Sequence, residues 1–140
     1  GFLLAALLWP TLISRCTKNN EINIRKFFRS MDGVLREQQK LTAVPRKFNS
    51  YIKDIWVLQL KLHSRIKSQP YKTIRHPRFR AAYDFLLVRE KASSDKNGLG
   101  KWWTDFQKND DSLRGSLIAR MNEKNDADSS KIFGFYNELR

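Results

Sequence analysis

Residues 76–90 read His76-Pro-Arg-Phe-Arg-Ala-Ala-Tyr-Asp-Phe-Leu-Leu-Val-Arg-Glu90. Phe79, Ala82, Tyr83, Leu86 and Leu87 recur at intervals of three and four, which predicts a helix with one buried face running to about Lys91. Pro77 suits the first position of such a helix, where its missing N–H leaves no bond unmade. Arg78 and Arg80 would then project from the first turn. An apolar helix thus begins inside a strongly basic segment.

The same period governs the text on either side. Ile24, Phe27, Phe28, Met31, Val34 and Leu35 share a helical face after a candidate cap at Asn20. Phe48, Tyr51, Ile52, Ile55, Trp56, Leu58, Leu60 and Leu62 form a wide apolar stripe after Pro45. Phe2 to Leu8 reads as the end of a buried helix, with Pro10 opening a short turn. The basic connection from Ser64 to Arg75 has room for one helical turn at Tyr71–Ile74. Trp102, Trp103 and Phe106 anchor a short helix from Leu99 to Lys108, and Leu113, Leu117, Ile118 and Met121 predict another over Asp111–Asn122. No segment alternates apolar and polar residues over strand length. The expected fold is all-α, an irregular bundle of five to seven helices.

The chain has 140 residues and 41% apolar content, enough for one domain that buries roughly two-thirds of its unfolded surface. Its net charge of +13 is exceptional for that class. Residues 44–80 hold ten basic side chains against one acidic, residues 1–43 hold seven against three, and residues 81–140 hold ten of each. Such a block points to a polyanionic partner. Cys16 is the only cysteine, which fits a reducing compartment such as the cytoplasm. The opening apolar run stops at Pro10, short of the about 20 residues that a membrane span needs.

Catalytic groupings are sparse. His63 and His76 read as surface or capping residues, and Cys16 has no general base beside it. Asp126-Ala-Asp128 has a spacing used for shared metal ions, but lies in loop-like sequence without a strand. No phosphate-cradling glycine loop is present. The expectation is no catalytic residue, no metal ligand and no cofactor in this chain. The basic residues carry the functional reading instead. Arg46, Lys47, Arg65, Lys67, Lys72, Arg75, Arg78 and Arg80 gather at two helix starts and the linker between them, where backbone amides and cations together suit phosphates. Tyr51 and Tyr71 lie in the same block as aromatic faces for unpaired bases, although Tyr51 also falls on the apolar stripe.

Five blocks, in order, resemble the C-terminal region of bacterial poly(A) polymerases, nucleotidyltransferases of the superfamily that includes CCA-adding enzymes. They are Phe2-Leu-Leu-Ala-Ala-Leu-Leu-Trp-Pro10, Val44-Pro-Arg-Lys-Phe48, Asp54-Ile-Trp-Val-Leu-Gln59, the stretch from His76 to Glu90, and Leu99-Gly-Lys-Trp-Trp-Thr-Asp-Phe-Gln107. The resemblance implies a helical RNA-binding body over residues 1–109, with 110–140 as a partly helical or mobile extension. It implies that an α/β head, absent here, adds AMP from ATP with Mg²⁺ while this part holds the single-stranded 3′ end of an RNA. Alone, the chain is expected to be inactive. Beyond RNA and the head, RNA-decay proteins are expected partners, and membranes are not. Unlike many members, this sequence has no glycine between Ser64 and Ile74 and no arginine-rich tail, so phosphate contacts fall to residues 44–80. The body of a CCA-adding enzyme and a non-enzymatic interaction module are the alternatives.

Overall fold

The computed structural model describes residues 1–42, 45–93 and 97–124, most of them in helices. Seven helices are found among them: α1 (Phe2–Cys16), α2 (Ile24–Leu41), α3 (Lys47–Lys61), α4 (Gln69–Ile74), α5 (Phe79–Ala92), α6 (Leu99–Phe106) and α7 (Asp111–Lys124). They form a helical bundle with no α/β catalytic head. The Asp126/Asp128 pair and the apolar group from Ile132 to Tyr136 lie outside the described residues.

Three local features differ from the sequence expectation. Helix α1 runs straight through Pro10 to Cys16. An internal proline costs about 3 kcal/mol, but stopping there would strip Leu12 and Cys16 from the core, where both are buried. Each large apolar side chain so buried returns roughly 1.5–3 kcal/mol, so packing wins. Next, Asn19 and Asn20 do not cap α2. Both adopt left-handed backbone, with φ of 54° and 63°. They turn a two-residue antiparallel hairpin, β1 (Thr17–Lys18) with β2 (Glu21–Ile22), as Asn tolerates positive φ better than most residues. The cap of α2 is Asn23, whose Oδ1 accepts from the Lys26 N–H at 3.0 Å. Finally, α5 begins at Phe79 and not Pro77. The His76 Nδ1 accepts from the Arg78 N–H at 3.0 Å, which holds residues 76–78 as a turn ahead of the helix.

Two apolar cores result. The first joins α1, α2 and α3 around Leu12, Phe27, Ile52 and Trp56, and takes Phe85 from α5. Trp9 lies edge-on to both Phe27 and Phe85, and the Trp56 indole donates to the Ala5 carbonyl at 3.0 Å. The second gathers Leu62 at the end of α3, Phe79, Tyr83 and Leu86 of α5, the aromatic residues of α6, and Leu117, Ile118 and Met121 of α7. There the Trp103 indole donates to the Leu62 carbonyl at 2.8 Å.

Between the cores lies one polar junction. Gln59, 1% exposed, donates from Nε2 to the carbonyls of Ile55 and Ala82, and its Oε1 accepts from Arg89 Nη1 at 2.9 Å. Arg89 in turn lies 4.6 Å from the centroid of the Trp9 ring. This fixes α5 against α3 and α1, and so sets where the N-terminal turn of α5 emerges. Helix α6 approaches α5 closely at Gly100, where a Cβ would run into Leu87 and Glu90.

Candidate nucleic-acid interface

The packing of α3 on α5 brings their N-terminal turns together. Arg46 caps α3, Lys47 is its first residue, and Arg78 caps α5; all three are exposed. The Arg78 guanidinium sits 5.0 Å from the centroid of the half-buried Tyr51 ring, and the Lys47 ammonium lies 5.4 Å from the Phe48 ring. Tyr51 also packs against the backbone of Gly1, where a Cβ would meet its ring. Two sites 27 residues or more apart in sequence, around Tyr51 and Arg78, thereby share one surface. The positive end of the α3 dipole adds to the cations there.

The remaining predicted residues divide. Lys72 and Arg75 lie on α4 and at its C-cap, both exposed. The Arg75 Nε donates to the Tyr71 carbonyl at 3.1 Å, which leaves the rest of its guanidinium facing outward. Lys72, Lys61 and His76 line a small cavity of about 40 Å³ between α3 and α4. Lys67 is exposed in the turn before α4, on left-handed backbone with φ of 54°. Arg80 is exposed but paired with Asp84 at 3.4 Å, which offsets part of its charge. Arg65 is drawn inward, 5.8 Å from the centroid of the Trp102 ring. Tyr71 packs edge-on against Phe106 and belongs to the second core. Of the two tyrosine rings, that of Tyr51 faces a predicted cation, whereas that of Tyr71 faces Arg114.

Helix α2 carries further exposed cations, Arg25, Arg29, Arg36 and Lys40. Counting charge by segment averaged these against Glu21, Asp32 and Glu37. The helical spacing of positions 25, 29, 36 and 40 was the signal that could have found them.

Among the described residues, no group of three or more His, Cys, Asp or Glu side chains is placed to hold a metal ion. Burial pushes the Cys16 thiol up from its ordinary pKa, away from the reactive thiolate. A cavity of about 450 Å³ lies between α1, α5 and the start of α6, and its lining includes Trp9, Pro10 and Val88. No described helix is long and apolar enough to cross a membrane.

Comparison with known sequences identifies the family. A family model described as Polymerase A arginine-rich C-terminus matches residues 19–132. The chain is 34% identical over 113 residues to poly(A) polymerase I of Escherichia coli O6:H1, covering 76% of the chain and 24% of that protein. It is 35% identical over 123 residues to poly(A) polymerase I of Haemophilus influenzae, covering 84% of the chain and 27% of that protein. The chain thus spans about a quarter of the length of these curated relatives. The match runs through α7, whose Leu117, Ile118 and Met121 pack into the core that α6 shares. With a helical bundle and a family match over most of its length, this chain belongs to the arginine-rich C-terminal family of bacterial poly(A) polymerases.

Proposed function

We propose that this chain is the RNA-holding body of a bacterial poly(A) polymerase. In this reading it keeps the single-stranded 3′ region of an RNA beside a separate head that adds AMP from ATP with Mg²⁺. The observation that carries the proposal is the pairing of Arg78 with Tyr51 beside Arg46 and Lys47, at the adjoining starts of α3 and α5. A guanidinium held over an aromatic ring is braced to meet a phosphate, and the rim of that ring offers a surface for an unpaired base. Lys72 and Arg75 continue the positive surface along α4. Contacts of this kind grip the backbone and are weakly selective for sequence.

Fluorescence anisotropy of a labelled single-stranded oligo(A), titrated at several salt concentrations, tests the reading. The expected log–log salt slope is about −3 to −5, because each neutralised phosphate on a single strand contributes about 0.7 and roughly five to seven cations take part. Absence of binding at low salt would overturn it.

A further inference from the structure

Resting on the RNA-holding reading, we propose that α2 is a second stretch of the same RNA path, a sequence-blind rail for the phosphodiester backbone of single-stranded RNA. At 3.6 residues per turn, Arg25, Arg29, Arg36 and Lys40 fall within about 60° of helical arc, and all four are exposed. That stripe lies roughly opposite the buried face made by Ile24, Phe27, Met31, Val34 and Leu35. From position 25 to position 40 it runs about 22 Å, at 1.5 Å per residue.

What makes it a rail is the fate of the helix's two acids. Asp32 and Glu37 flank the stripe on opposite sides, and each is turned toward a neighbouring helix. Asp32 pairs with Lys53 of α3, and Glu37 pairs with Arg15 of α1. Among the described residues, no carboxylate lies within salt-bridge distance of the four stripe cations, although Lys40 adds a weaker attraction to Glu37. Arg36 makes only a long 3.4 Å contact from Nε to the Asp32 carbonyl. The two inter-helix ion pairs thus do double duty: they fasten α2, and they engage its two carboxylates, both still exposed, with cations of the neighbouring helices.

The stripe also leads somewhere. Gln39 Nε2 donates to Asn49 Oδ1 at 3.4 Å, joining the last turn of α2 to the first turns of α3. Lys40 therefore ends near the end of the bundle where Arg46 and Lys47 begin α3. Because Asp32 pairs with α3, the stripe lies toward the α3 side of the outer face of α2. The two aromatic residues of α2, Phe27 and Phe28, pack edge-on to each other against the first core, so this stretch grips phosphates chiefly through its cations.

The test compares oligo(A) of about 6 and about 20 nucleotides, lengths that span the usual range of single-strand sites. Binding is measured on the unmodified chain and on a variant carrying Arg25→Gln, Arg29→Gln, Arg36→Gln and Lys40→Gln. A control carries Lys91→Gln, Arg120→Gln and Lys124→Gln, exposed cations of α5 and α7. Circular dichroism checks that both stay folded. On the unmodified chain the long oligomer should show a salt slope steeper than the short one by about 2–3, four cations at about 0.7 each. The α2 variant should lose that difference and keep its affinity for the short oligomer, and the control should keep both. Oligo(U) should repeat the length effect. Retention of the length effect in the α2 variant would overturn the rail, as would its equal loss in the control, which would make it a matter of net charge. Failure of the unmodified chain to bind either length would instead remove the RNA-holding reading, and the rail with it.

Discussion

Arg78 and Tyr51 stand 27 positions apart in sequence and 5.0 Å from guanidinium to ring centroid in space. The contact ties the start of α5 to the first turns of α3, and it holds the cation in a fixed direction. A flexible arginine would lose more side-chain entropy on meeting a phosphate.

Replacing Arg78 with Ala should therefore weaken oligo(A) binding by roughly threefold to tenfold, the effect of about 1 kcal/mol from one exposed charged contact. The salt slope should become shallower by about 0.7. Tyr51→Leu preserves apolar burial but removes the ring, and should weaken binding with an unchanged slope. Anisotropy titrations separate the two effects; identical slopes for the Arg78 variant and the parent would contradict the phosphate role.

Gln59 satisfies two backbone carbonyls and accepts from Arg89 while almost fully buried. Leucine has nearly the same volume but none of these bonds. Gln59→Leu is expected to destabilise the fold by about 1–3 kcal/mol, since a buried polar partner is removed and its neighbours are not. Urea denaturation reads this directly. An unchanged midpoint would mean that the junction is apolar packing with incidental polar contacts.

The two indole N–H groups act as pegs between helices, Trp56 to Ala5 and Trp103 to Leu62. Trp103→Phe should lower stability by about 1–3 kcal/mol through the lost bond and the lost ring. For a chain of this size that is about 2–4 °C of Tm per kcal/mol. Differential scanning calorimetry of Trp56→Phe should show a comparable loss. A large effect for one and none for the other would show that the cores are unequally strained.

Arg15 holds the Glu37 carboxyl below its ordinary pKa, mainly through their hydrogen bond and also through charge attraction. A carboxylate with a depressed folded-state pKa contributes stability that is present above its unfolded pKa and lost as pH falls through the folded one. Glu37→Gln should therefore lower stability at pH 7 and make little difference once the pH is well below the glutamate range. Both groups are exposed, so the effect should be small and should fade with added salt. Urea midpoints at neutral and acid pH check the sign; a larger difference in acid would contradict it.

Most helices were readable because their apolar residues keep strict helical spacing, and Phe79, Ala82, Tyr83 and Leu86 show this clearly. Where reading failed, a local signal was outvoted by distant contacts or was too short to notice. Pro10 looks like a stop until Leu12 and Cys16 are seen in the core. Asn19-Asn20 is a turn signal, but the strands around it are two residues each and show no alternation. For the candidate site, the residue types and their clustering at two helix starts were visible, and the partner of each cation was not. Arg65 and Arg78 look equivalent in sequence, yet one lies against Trp102 and the other against Tyr51. The α2 stripe was hidden for a related reason: a charge count does not reveal that Asp32 and Glu37 turn sideways to Lys53 and Arg15.

Helix α5 gives Phe85 to one core and Phe79, Tyr83 and Leu86 to the other. One consequence concerns the length of the chain more than its chemistry. A single residue inserted midway along α5 would rotate everything beyond it by about 100°, taking Phe85 and Leu86 out of both cores at once. The same insertion at the exposed turn around Lys67 would lie beside only the half-buried Ile66, at the edge of the second core. Substitutions in α5 trade one side chain for another, whereas insertions and deletions there disconnect the two halves of the bundle.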